Sequence, residues 1–182
     1  GAFIIFIPVV MFLLLPLRFV LKGDTKGVVR SMAQLQWTLM LTVFGISHLA
    51  YMLSLPEHPD SATGGRGLLL FTVFLTEIND VLQFTWGKLL GKRKILPKVS
   101  PNKTWEGFLG GLVCTAIIGW ALAFLTPLSG WTIVALSAFL AFAGFTGDVV
   151  MSAVKRDVGV KDTGSAIPGH GGVLDRVDSL SY

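Results

Sequence analysis

Five apolar stretches, at 2–21, 35–55, 67–86, 105–125 and 131–151, make up most of this chain. Each is close to the roughly 20 residues that a helix needs to cross a hydrocarbon layer about 30 Å thick. Inside such a layer the backbone has no water to bond, so a run of this kind folds as a helix that satisfies its own amides. Composition agrees. Of all residues 52% are hydrophobic and 14% charged, whereas a soluble domain carries about 25% charged residues. The expected fold is an all-α polytopic membrane helix bundle with about five spans in this chain. Cys114 is the single cysteine and lies in an apolar run, which excludes an intrachain disulfide and a cysteine-based zinc site.

The first stretch holds Pro8 and Pro16, which membrane helices tolerate. It lacks a basic leader and a small-residue cleavage site, so it is not read as a signal peptide. The chain opens on Gly1 in apolar sequence and stops at Tyr182, just past a polar segment; a piece of a longer membrane protein is expected. Two regions are expected, N-terminal transmembrane helices over 1–66 and a catalytic transmembrane region over 67–182.

The connections alternate in charge. Three Lys or Arg follow the first stretch, six follow the third and four follow the fifth, while the second and fourth connections hold only Arg66. Basic loops stay on the cytoplasmic side, so the loops 22–30 and 87–104 and the polar segment 152–178 are expected there. The expected location is a bacterial inner membrane, with the polar site facing the cytoplasm.

Charged groups gather near that face. The third stretch carries Glu77, Asn79, Asp80 and Gln83. A carboxylate at membrane depth costs several kcal/mol unless it faces a cavity, a cation or a partner. Glu77 and Asp80, spaced i, i+3, share a helix face; they either pair near the interface or reach a polar site in the bundle. The fourth stretch opens with Glu106 near a helix N-terminus, where the dipole suits it, and contains Gly107, Gly110 and Gly111, which let helices approach closely. Asp148 ends the fifth stretch, and the segment after it adds Lys155, Arg156, Lys161, Asp175, Arg176 and Asp178. Asp80, Asp148, Asp175 and Asp178 form an all-oxygen donor set that suits Mg²⁺ better than zinc. Lys155, Arg156, Lys161 and Arg176 suit phosphate oxygens. Gly164, Gly169, Gly171 and Gly172 would let the backbone come close to a ligand. A solvated, lipid-facing basic surface remains an alternative for the 87–104 loop. On these residues alone the chain is a membrane enzyme or transporter handling a phosphate-bearing ligand.

The 27 residues S-A-V-K-R-D-V-G-V-K-D-T-G-S-A-I-P-G-H-G-G-V-L-D-R-V-D at 152–178 resemble the signature of phosphatidate cytidylyltransferases, also called CDP-diacylglycerol synthases. The matching positions include Ser152, Lys155, Arg156, Lys161, Asp162, Pro168, His170, Gly171, Gly172, Asp175, Arg176 and Asp178. A second block, K-V-S-P-N-K-T-W-E-G at 98–107, resembles the S-P-x-K-T-W-E-G motif of the same family. The likeness runs from about residue 80 to 178 and leaves the first two apolar stretches without a matching motif. Around Asp80 many members have small residues and an aromatic after the Asp, where this chain reads N-D-V-L-Q-F-T-W-G-K. That departure points to a divergent subgroup whose lipid preference differs.

The resemblance implies transfer of a cytidylyl group from CTP to phosphatidate, giving CDP-diacylglycerol and pyrophosphate. It implies Mg²⁺ and a second, monovalent cation such as K⁺. Asp80, Asp148, Asp175 and Asp178 are then the metal ligands, and Lys155, Arg156, Asp175 and Asp178 the catalytic group. Lys103, Ser152, Lys161, His170, Gly171, Gly172 and Arg176 bind substrate, with His170 in a positioning role. The partners are CTP, phosphatidate and membrane lipids, with no nucleic acid; the glycine-rich helices also admit a homodimer. Two alternatives stay open: a cytidylyltransferase for another lipid phosphate, and an ion-coupled transporter.

Overall fold

The computed structural model describes residues 2–23, 26–56, 64–160, 163–164 and 179–180. Helices occupy all five apolar stretches. Among the described residues three helices are long and apolar enough to cross a membrane, and a fourth apolar helix is shorter. The protein is an all-α polytopic membrane protein. The chain separates into two compact units, Gly1–Ser54 and Leu55–Tyr182.

The first unit holds α1 (Ala2–Lys22) and α2 (Val28–Leu39), which runs through a π-helical segment (Met40–Gly45) into α3 (Ile46–Met52). The expected loop 22–30 is therefore shorter than its basic residues suggest. Lys22 closes α1 and Arg30 lies in the first turn of α2. Hydropathy marks the part of a helix that suits lipid, whereas the helix itself extends as far as its backbone bonds continue. Gly23, at φ 68°, ends α1 in the left-handed conformation that glycine adopts freely. Gln36 Nε2 donates to the Pro8 carbonyl at 3.4 Å, which ties α2 to α1.

The second unit begins with α4 (Gly64–Leu90). A two-stranded antiparallel hairpin comes next, β1 (Lys94–Leu96) and β2 (Ser100–Thr104), pairing Lys94 with Thr104 and Leu96 with Ser100. Then come α5 (Trp105–Ala121), a 3₁₀ turn (Ala123–Leu125) and α6 (Gly130–Asp157). The hairpin replaces the loop expected over 87–104. Its Lys, Pro and Asn residues are poor strand formers, and it is held instead by contacts with the first turn of α5. Thr104 caps α5 by accepting from Gly107 N–H at 3.2 Å. Glu106 Oε2 accepts from the backbone N–H groups of Lys92 at 3.0 Å and Arg93 at 3.2 Å. The Trp105 N–H also donates to the Arg93 carbonyl at 3.0 Å.

Packing in this unit reverses the usual pattern of a water-soluble core. Large apolar side chains such as Phe74, Phe84, Val113, Trp120 and Phe139 are exposed, as suits a surface that meets lipid. The buried residues of α5 are Gly107, Gly111, Thr115 and Gly119, one small residue per turn along a single face. That face lets α4 and α6 come close. A Cβ on Gly107 would lie 2.6 Å from the Gln83 carbonyl oxygen, and one on Gly119 would overlap Ser137. On α4 the buried row runs Phe71, Leu75, Asn79, Gln83. It changes from apolar to polar along the helix, so Phe71 and Leu75 join Ile133 in the apolar core at one end and the polar residues gather towards the other. Asn79, fully buried, joins all three helices: its Nδ2 donates to the Ala141 carbonyl at 3.1 Å and its Oδ1 accepts from Thr115 Oγ1 at 3.2 Å.

Candidate active site

The polar end of the second unit is built from the C-terminal halves of α4 and α6 and from β2, which leads into α5. Hairpin pairing places Lys103 one residue before the α5 cap. From there its Nζ reaches Asp148 Oδ2 on α6 at 2.5 Å, with the two side chains 18% and 22% exposed. The same ammonium donates to Gln83 Oε1 on α4 at 3.5 Å and stands 5.5 Å from the centre of the Phe145 ring, where the ring face favours a cation. One lysine thus gathers a carboxylate, an amide and an aromatic face from two helices.

Asp148 has a second contact, accepting from Ser152 Oγ at 3.3 Å through its Oδ1. The i, i+4 spacing puts both on one face of α6, and Lys155 falls on that face one turn further. The sequence places 152–178 in a polar segment after the fifth span. In the structure its first six residues form the last turns of α6. Lys155 and Arg156 lie in the final turn, where positive charge offsets the exposed carbonyl ends of the helix dipole. Lys155 is half-buried and Arg156 exposed. The helix stops at Gly159, whose φ is 79°.

The two carboxylates of the third stretch differ in their surroundings. Glu77 is exposed and Asp80 half-buried. Their shared face, expected from i, i+3 spacing, is broad enough for one to face outward and the other to turn towards the bundle. Beside them α4 buries two amides, Asn79 and Gln83. Sequence reading names both but gives neither a role; the signal is the fourth-residue repeat that continues Phe71 and Leu75. Ser179, which comes after Asp178 in sequence, is buried, and a Cβ added to Gly144 would come within 3.8 Å of it, one turn from Asp148. Lys161, His170, Gly171, Gly172, Asp175, Arg176 and Asp178 lie outside the described residues, as do Asp162, Pro168 and Gly169. Among the described residues no three His, Cys, Asp or Glu side chains gather as metal ligands.

The donors at this end, the Asp148 carboxylate, the Ser152 hydroxyl and the Gln83 carbonyl oxygen, are all oxygen. Such a set fits a hard divalent cation. A lysine ammonium already held against the carboxylate shows that the site stabilises positive charge there. Fold and site together define a polytopic helical membrane protein with a cluster of charged and polar side chains at one end of a three-helix unit. Comparison with known proteins gives the family: the sequence pattern of the Cytidylyltransferase family matches residues 1–182, and the chain belongs to it. The chain is 46% identical over 181 residues, 99% of its length, to an uncharacterized Escherichia coli (strain K12) protein, YnbB. It is 41% identical over 125 residues, 66% of its length, to a phosphatidate cytidylyltransferase of Staphylococcus haemolyticus. A phosphatidate cytidylyltransferase of Staphylococcus aureus (strain COL) matches at 38% over 68% of the chain. The chain spans 60% of the E. coli protein and 48% of each staphylococcal one.

Proposed function

We propose that this chain carries the catalytic region of an Mg²⁺-dependent phosphatidate cytidylyltransferase of a bacterial inner membrane, working at the cytoplasmic face. The observation that carries the reading is the Lys103–Asp148 pair with Ser152 beside it. It brings Lys103 of the block 98–107 to Asp148, which also meets Ser152, the first residue of the block 152–178. Relatives named as phosphatidate cytidylyltransferases support the substrate. The alternation of basic connections supports the orientation, and the exposed Lys92, Arg93, Lys94 and Lys98 stand at the cluster's end of the unit.

In this reaction a phosphate oxygen of phosphatidate bonds to the α-phosphorus of CTP, and the bond from that phosphorus to the β-phosphate oxygen breaks, releasing pyrophosphate. The nucleophile is already anionic, so no serine or cysteine intermediate is needed. The obstacle is bringing two polyanions together, which positioning and fixed positive charge overcome. Lys103, Lys155 and Arg156 would hold phosphate oxygens, assisted by Ser152, Lys161, Arg176, His170 and the backbone at Gly171 and Gly172. Asp148, Asp80, Asp175 and Asp178 would hold Mg²⁺, which when bound neutralises the triphosphate as the leaving group departs. A monovalent second cation, K⁺, would share these carboxylates.

The test is CDP-lipid synthesis from radiolabelled CTP by the full-length protein in detergent, with phosphatidate, an ether-lipid phosphate and a polyprenyl phosphate offered in parallel. Product is expected with phosphatidate and Mg²⁺, and none when EDTA replaces the metal. Asp175→Asn and Asp178→Asn should each cut the rate at least about a hundredfold, the loss expected when a group that holds or orients a metal is removed, while the protein still inserts in membranes. Wild-type rates in either variant would remove both residues from the metal site. Product only with another lipid phosphate would replace the substrate.

A further inference from the structure

Gln83 is 3% exposed, yet only its carbonyl oxygen has a partner, Lys103; its Nε2 is buried without one. A lysine ammonium can only donate, so the atom facing Lys103 is the oxygen, and the amide orientation is settled by that neighbour. Asn79, one turn earlier on the same row, uses both ends of its amide. Buried donors are seldom left unmade, which makes the contrast informative. The fold is also shaped around this side chain, because a Cβ on Gly111 would collide with Gln83 Cγ. Room has been kept on α5 for an amide that is half used.

The other end of this amide meets Lys103, whose ammonium also pairs with Asp148, so the unused N–H belongs to a side chain of the proposed phosphate-handling cluster, and residue 83 falls in the stretch that departs from the family pattern. We propose that Gln83 is a substrate-contacting specificity residue whose Nε2 donates to a phosphate oxygen of the bound substrate while its Oε1 keeps Lys103 in place. The proposal rests on the cytidylyltransferase reading. Either substrate can supply the acceptor, since CTP and phosphatidate both present phosphate oxygens.

Separate KM measurements for CTP and for phosphatidate, with kcat and Tm, on the full-length wild type, Gln83→Glu and Gln83→Met decide the matter. Gln83→Glu keeps the shape and the acceptor for Lys103 but turns the donor into an anionic oxygen. The KM of the substrate touched by Nε2 is expected to rise at least about tenfold, the scale of a lost hydrogen bond to a charged group, with the other KM within about twofold. Gln83→Met, which removes donor and acceptor at similar volume, should raise the same KM. A rise confined to phosphatidate assigns the lipid phosphate, and one confined to CTP assigns the nucleotide. If both KM values stay within about twofold in both variants, the proposal is overturned and the amide serves packing or a trapped water. Equal rises in both with a lowered Tm also overturn it, since a structural role would act that way. A wild type that makes no CDP-lipid removes the underlying reading instead, and is seen before any variant is made.

Discussion

The Lys103–Asp148 contact allows the most direct test of the site. An exposed ion pair contributes about 0.2–1 kcal/mol, and removing one partner of a fully buried pair costs about 3–5 kcal/mol. With the two side chains 18% and 22% exposed, the pair lies between these limits, and a coupling energy of about 1–3 kcal/mol is expected. The cycle consists of Lys103→Met, Asp148→Asn and the double variant, unfolded by SDS titration from mixed micelles and followed by helical circular dichroism. Met keeps the length and apolar stem of Lys. Asn retains an oxygen that can accept from Ser152, whose hydroxyl stands 3.3 Å from Asp148 Oδ1 in the native site. Each single change therefore mainly removes the charge pair, which is what a cycle requires. A coupling below about 0.3 kcal/mol, the usual scatter of additive pairs, would show that α6 and the hairpin are not joined here. Repeating the cycle in millimolar Mg²⁺ adds a functional arm. If the metal reading is right, the cation competes with the ammonium for Asp148, so the coupling falls while wild type, but not Asp148→Asn, gains stability by linkage.

Two further outcomes are expected from the packing. Asn79→Ala and Thr115→Val, combined in a cycle, should show coupling of about 0.6 kcal/mol and at most about 1.7 kcal/mol, the range for hydrogen bonds between membrane helices; strict additivity would mean that the 3.2 Å contact is not formed. Gly119→Ala should lower stability by about 1–3 kcal/mol through overpacking, because its Cβ would overlap Ser137, and Ser137→Gly should recover much of the loss. Equal stability of Gly119→Ala and wild type in the same SDS titration would show that α5 and α6 are further apart than described.

Much of this architecture is legible in the amino-acid order, and the places where it is not have physical causes. The apolar stretches at 67–86 and 131–151 lie within α4 and α6, but both helices run on past them, α6 as far as Asp157. Hydropathy reports where lipid is favourable and is blind to a helix that continues into polar surroundings. That difference puts Ser152 and Lys155 on the helix face that carries Asp148, and Arg156 in the last turn of the same helix, rather than in a connection. The hairpin over 94–104 is not legible because its strands are short and most of their residues, among them Lys94, Pro101, Asn102 and Lys103, are poor strand formers. Its stability comes from Glu106 and Trp105, contacts that form only once α5 is in place.

Local sequence determined the helical membrane class, the placement of the spans, the basic connections and the two blocks that mark the family. Each of these depends on residues close together in the chain, where apolar content and spacing act additively. Tertiary structure alone decided which groups meet. It set Lys103 against Asp148 and Gln83, gave Asn79 rather than Glu77 the buried polar role, and used Gly111 to house a glutamine. Those pairings depend on which way each helix is rotated and how closely two backbones approach, and a difference of one residue turns a side chain by about 100°. Side chains on different helices meet only when all the helices have settled, so their partners cannot be read one helix at a time.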